Sequence, residues 1–123
     1  MIPEDLIKKA IVGQERAEAP YSNYPVGAAL LTSDDLVILG CNIESKAYPT
    51  TLCAERVTIF SAISQGYKDF SSMALITQDG AFPCGSCRQI IYEYVGNIPI
   101  YIATDLDNYV TQTISDLLPF PFG

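Results

Sequence analysis

Residues 26–44 read V-G-A-A-L-L-T-S-D-D-L-V-I-L-G-C-N-I-E. Two apolar runs flank S-D-D at 33–35, a polar trio suited to reversing the chain, so the stretch predicts a β-hairpin. Upstream, Leu6, Ile7, Ala10, Ile11 and Ala17 recur at near-helical spacing, which predicts an amphipathic helix from Pro3 to about Ala19. The Pro-rich segment A-P-Y-S-N-Y-P at 19–25 reads as the loop between that helix and the hairpin. Downstream, 52–66 (L-C-A-E-R-V-T-I-F-S-A-I-S-Q-G) predicts a second helix, capped by Thr50 or Thr51 and ended by Gly66. M-A-L-I-T at 73–77 predicts a buried strand, and 84–96 (C-G-S-C-R-Q-I-I-Y-E-Y-V-G) a third helix stopping near Gly96. I-P-I-Y-I-A at 98–103 predicts another strand, and T-I-S-D-L-L-P at 113–119 a short terminal helix. The order α-β-β-α-β-α-β-α argues for the α/β class, a mixed sheet with helices on both faces.

No repeat or linker divides the chain, and 123 residues suit a single domain, residues 1–123. Its apolar runs fall far short of the roughly 18 residues that suggest a membrane span. The start M-I-P-E-D-L-I-K-K shows acids ahead of lysines and no apolar h-region, so a signal peptide is not expected and a cytoplasmic location is. A formal net charge of −7 argues against nucleic acid as a partner and for a small neutral or cationic ligand.

The four cysteines stand at 41, 53, 84 and 87. In a cytoplasmic chain they are not expected to form structural disulfides. Cys84 and Cys87 form C-x-x-C, which leaves metal binding and redox exchange as readings. Cys53 opens one predicted helix, and Cys84 and Cys87 open another. Helix N-termini lower thiol pKa values, and three thiolates suit a zinc ion with a fourth position open for water. Glu55 follows Cys53 by about 200° around a regular helix, yet at a helix start both can lean toward a site beyond its end. A carboxylate there can move protons. Taken singly, Cys53 reads as a core residue, Glu55 as a surface acid and Cys41 as a small buried strand residue.

Together, C-A-E-R at 53–56 and P-C-G-S-C-R-Q at 83–89 resemble the zinc-dependent cytidine deaminases of the small homotetrameric type. The resemblance runs from P-Y-S-N-Y-P-V-G-A-A-L at 20–30 to L-L-P-F-P-F at 117–122. It implies a three-layer α/β/α fold with a mixed sheet of about five strands. It also implies hydrolytic deamination of cytidine and deoxycytidine by zinc-activated water, in pyrimidine salvage. By the same resemblance Cys53, Cys84 and Cys87 match the ligands of one Zn²⁺ per subunit, and Glu55 the proton shuttle. Asn42 and Glu44, two apart on one strand and so facing one side, match the pair that bonds the ribose 3′-hydroxyl. Tyr24 matches an aromatic packed on the pyrimidine, a position often filled by Phe, and Ala54 offers backbone to the C2 carbonyl side. Tyr48 and Phe122 match residues reaching a neighbouring subunit's site.

Three thiolates on a divalent ion leave the site negative, and the resemblance assigns Arg56 to offset this by bonding thiolate sulfur. Gln89 is a candidate to stand behind the ligands, and Arg88 either does the same or is solvated. Where the family reads N-A, a small residue and Tyr, this chain reads S-K-A-Y, which puts Lys46 near the 5′ end of a nucleoside. Two alternatives remain. One is a related amine hydrolase, such as a blasticidin-type or free-base deaminase, although Asn42 and Glu44 favour a ribose. The other is a non-catalytic zinc-stabilised domain, for which only Cys41 is available as a fourth ligand.

Overall fold

The computed structural model describes all residues, 1–123. The hairpin forms: β1 (Gly27–Thr32) pairs antiparallel with β2 (Val37–Cys41), Gly27 opposite Cys41 and Leu31 opposite Val37. On its other edge β1 pairs antiparallel with β3 (Phe70–Ile76). The helix α3 (Gly85–Tyr94) then carries the chain to β4 (Ile100–Ala103), parallel to β3, as a parallel pair requires a crossover. A fifth strand, β5 (Tyr109–Gln112), returns antiparallel to β4 and closes a mixed sheet of order β2-β1-β3-β4-β5. The remaining helices are α1 (Pro3–Gln14), α2 (Ala54–Ser64) and the single-turn α4 (Ile114–Leu117).

The helices cover both faces of the sheet. Successive strand residues point to opposite sides, so Ala28 and Leu30 of β1 join Met73, Leu75, Ile100 and Ile102 beneath α2, α3 and α4. Ala29, Leu31, Ala74 and Ile76 meet Leu6, Ile7 and Ala10 of α1 instead. β1 is buried along its whole length, which is why it reads as an unbroken apolar run. Gly40 lets α2 lie directly on β2, since a Cβ there would stand 1.9 Å from Thr58 Oγ1. No helix is long and apolar enough to cross a membrane.

Three local expectations are corrected. α1 ends at Gln14, short of Ala19, because the backbone of Glu18 leaves the helix to bond the chain beyond β2. Its N–H reaches Asn42 O at 3.1 Å and its carbonyl accepts Glu44 N–H at 2.8 Å. Neither Thr50 nor Thr51 caps α2. Thr50 Oγ1 donates to Ala47 O at 2.7 Å across a 3₁₀ turn (Tyr48–Thr50), while Thr51 Oγ1 accepts Ser45 N–H at 2.9 Å. Cys53 holds the cap position of α2 without a capping bond, and the chain leaves the helix through Gly66 at φ +93° as expected. The third correction is β5, which follows no clear apolar run: Tyr109 and Gln112 are half-buried, and Val110 and Thr111 exposed.

Candidate active site

β1 runs against both β2 and β3, so those two strands end at the same edge of the sheet. α2 starts after the first and α3 after the second, and their N-termini meet there. Cys53 and Cys84 are the cap residues of α2 and α3, both extended (ψ 154° and 167°), and Cys87 lies in the first turn of α3. Because Cys53 stands outside the helix, the 200° interior separation from Glu55 does not apply.

The three sulfurs lie within 4.8 Å of one another, Cys53–Cys84 at 4.0 Å and Cys84–Cys87 at 3.5 Å. Zinc–sulfur bonds of 2.3 Å at tetrahedral angles separate sulfurs by about 3.8 Å, so the trio fits zinc with one position left over. No fourth Cys, Asp or Glu joins them. Cys41, the last residue of β2 and the only candidate for a closed four-ligand site, is not among them; it lies by Arg16 and Glu18 instead, which removes the basis for a purely structural zinc domain.

A hydrogen bond from Cys87, reinforced by Arg56, holds the Cys53 thiol down at about 5 against burial. Donating that bond, being buried and facing Glu55 push the Cys87 thiol up. Arg56 Nη2 stands 3.5 Å from Cys53 Sγ, where a guanidinium stabilises a thiolate. Its Nε is buried and has no partner. Burial pushes the Glu55 carboxyl above its usual range, opposed by its own backbone N–H and the Cys87 thiol. Glu55 is 6% exposed, so the surface-acid reading fails.

A cavity of about 350 Å³ opens beside the sulfurs. Cys53, Cys84, Glu55 and Ala54 line its floor, and Tyr24, Asn42 and Glu44 line its wall. Asn42 is buried, its Oδ1 accepting Val26 N–H and its Nδ2 donating to Tyr24 O, each at 2.9 Å. Glu44 anchors the loop before β1: Oε1 accepts the Tyr21 and Ser22 N–H groups at 3.0 and 3.1 Å, and Oε2 the Ser22 hydroxyl. The two side chains expected to meet a ribose thus also shape the loop carrying Tyr24.

Other expected residues sit elsewhere. Gln89 is not behind the sulfurs. It lies two residues beyond Cys87, about 200° around the helix, and bonds the chain's tail: Nε2 to Phe122 O at 2.8 Å, Oε1 from Phe122 N–H at 3.1 Å. Arg88 is neither solvated nor aimed at sulfur. Its Nε and Nη1 donate to Pro83 O and Leu117 O, both at 2.7 Å, tying the α3 start to α4. Tyr48 and Phe122 project from the surface, 75% and 86% exposed, and Lys46 is exposed. Sequence reasoning missed Thr77, Ala81 and Phe82, which line the cavity, and Asp79, which accepts the Tyr24 hydroxyl. Their only signal was position, in the loop leading to C-x-x-C.

Residues 2–102 match the family described as the cytidine and deoxycytidylate deaminase zinc-binding region. A cytidine deaminase from Sporosarcina psychrophila is 42% identical over 98% of this chain and 90% of its own length. The crystal structure of a cytidine deaminase from Burkholderia pseudomallei superposes with a TM-score of 0.93 at 37% identity, covering 99% of this chain and all of that one. A blasticidin-S deaminase from Bacillus cereus is less similar, 30% identical over 82% of this chain and 79% of its own.

Proposed function

The chain belongs to the cytidine and deoxycytidylate deaminase family, as a zinc-dependent hydrolase, and from that membership we propose how its residues act on cytidine and deoxycytidine. The reaction exchanges the C4 amino group for oxygen, consuming water and releasing ammonia to leave uridine or deoxyuridine. Cys53, Cys84 and Cys87 would hold the zinc, which when bound would supply Lewis-acid activation of water. Glu55 takes a proton from the attacking water, delivers it to ring N3, and carries the next proton to the departing amine. Arg56 stabilises the thiolate of Cys53, beside which it lies. Tyr24 stacks on the base, Ala54 backbone faces its C2 oxygen, and Asn42 and Glu44 receive the sugar hydroxyl through the acceptor and donor capacity their loop bonds leave free.

One observation carries this reading: a buried carboxylate, two residues from a sulfur ligand, opens into the same cavity as two of the three sulfurs. The ribose-facing pair favours a nucleoside over a free base, and the closer relatives are cytidine rather than blasticidin-S deaminases. Residues 1–123 form one domain in this reading, placed in the cytoplasm and assembled as a homotetramer. The exposed rings of Tyr48 and Phe122 support the assembly. Tyr48 lines a second cavity that shares Ser22, Glu44 and Thr51 with the first.

The test is Glu55→Gln, read by ultraviolet loss of cytidine and by metal content. The variant is expected to keep its zinc and lose a factor of about 10²–10⁴ in turnover. Turnover near the wild-type rate contradicts the assignment.

A further inference from the structure

Two loops frame the cavity: the one before β1, carrying Tyr24, and the one between β3 and α3, carrying Phe82 and Cys84. Asp79 joins them. Its Oδ1 accepts the Tyr24 hydroxyl across 55 residues of sequence. The same oxygen accepts the Ala81 N–H at 3.2 Å and the Thr77 hydroxyl at 3.4 Å. Thr77 is 4% exposed, and its Oγ1 accepts the Gly80 N–H at 2.7 Å and the Ala81 N–H at 3.2 Å. Gly80 turns at φ +74°, where a side chain would strain the backbone, and a Cβ there would stand 3.2 Å from Thr104 Cγ2. The carboxylate is therefore set by its own turn before it meets Tyr24, and little entropy is lost in making that bond.

Tyr24 is in consequence held at both ends. Its carbonyl accepts Asn42 Nδ2 at 2.9 Å, and its hydroxyl is taken by Asp79. The ring between these points lines the cavity, as does Phe82, two residues past the turn that Asp79 organises. Resting on the deaminase reading, we propose that Asp79 is a positioning residue for the substrate base. It couples the Tyr24 ring and the Phe82 loop into one rigid wall that receives the base already oriented. Asp79 moves no proton, so its contribution falls on binding rather than on the chemical step.

The test compares full-length wild type, Tyr24→Phe, Asp79→Asn and the double variant in cytidine turnover. Tyr24→Phe, which removes the bond, is expected to raise KM about tenfold, the low end for a hydrogen bond to a charged group, and Asp79→Asn, which leaves a neutral acceptor oxygen, about threefold. kcat stays within about twofold. The double variant is no worse than Tyr24→Phe, because without the hydroxyl no bond is left for the change at residue 79 to weaken. A wild-type KM in either single variant, a kcat loss as large as the KM rise, or effects that multiply in the double overturns the proposal. Tyr24→Phe leaves the Asp79 turn intact and stands in should Asp79→Asn not fold. A second measurement is independent of turnover. The chain has no tryptophan, so Phe82→Trp places a lone reporter on the loop. Adding Tyr24→Phe or Asp79→Asn to that background is expected to raise acrylamide quenching about twofold by loosening the loop. Unchanged quenching overturns the coupling, whereas a wild type that leaves cytidine untouched overturns the deaminase reading and leaves quenching to decide the coupling.

Discussion

Gly40→Ala tests the packing that holds the site in place. Gly40 lies in β2 against the middle of α2, and a Cβ there would stand 1.9 Å from Thr58 Oγ1, 2.8 Å from Thr58 N and 2.9 Å from Thr58 Cβ. Turning the Thr58 hydroxyl away removes only the first clash and gives up its 2.7 Å bond to Ala54 O. The contact with backbone nitrogen remains, so α2 must retreat by roughly 0.5 Å or more to reach normal van der Waals separation. Overpacking of this kind costs about 1–3 kcal/mol and the lost hydroxyl bond about 1 more. The sum, about 2–4 kcal/mol, lowers the thermal midpoint of a domain this size by about 8–16 °C. Thr58 is one turn from Glu55, and a displaced carboxylate also costs turnover, by about tenfold or more. The assay is thermal unfolding of the zinc-loaded protein by circular dichroism, with cytidine turnover measured alongside. Adding Thr58→Ala relieves only the Oγ1 clash, so the double variant recovers less than half of the lost stability. A midpoint for Gly40→Ala within about 2 °C of wild type refutes the close contact between β2 and α2.

Arg88→Ala removes two bonds that join the α3 start to α4, and urea unfolding is expected to show a loss of about 1–3 kcal/mol. Lysine at this position does not restore it, since one ammonium cannot reproduce the guanidinium fork. Stripping the protein with a chelator is expected to abolish turnover and lower the thermal midpoint together, and added Zn²⁺ to restore both; activity persisting in the stripped protein contradicts the metal's role. At Glu44, the Ser22 hydroxyl and the Ser22 and Tyr21 N–H groups hold the carboxyl below its usual 4.5. A depressed folded-state pKa means that the anchoring is present at neutral pH and is lost as pH falls through that value, below 4.5. Amide exchange at Tyr21 and Ser22 should stay protected down to about 4.5 and lose protection below it. Glu44→Ala, which has no acceptor to offer, should lose it at every pH.

Much of this protein is legible along the chain because its signals are local. The unbroken run of β1, the S-D-D reversal, the near-helical spacing of Leu6, Ile7 and Ala10, and the helix end at Gly66 each depend on residues a few positions apart. The cysteines and Glu55 are legible for a related reason: each opens a helix, and helix starts can be read locally. β5 escapes, since two half-buried and two exposed residues acquire their strand character only from pairing with β4. The end of α1 escapes because Glu18 is claimed by a segment more than twenty residues away. Gln89 and Arg88 carry nothing local to say that one holds the tail and the other α4. The Tyr24–Asp79 bond is a further case, joining two loops that neighbour each other only once β1 and β3 are paired. Every helix and strand but β5, and the residue types able to do chemistry, could be read along the chain, since propensity and periodicity act over one or two turns. The tertiary structure decided which of those residues share a cavity and what each polar side chain bonds, because a hydrogen bond depends on distances that the sheet order sets and that spacing along the chain does not.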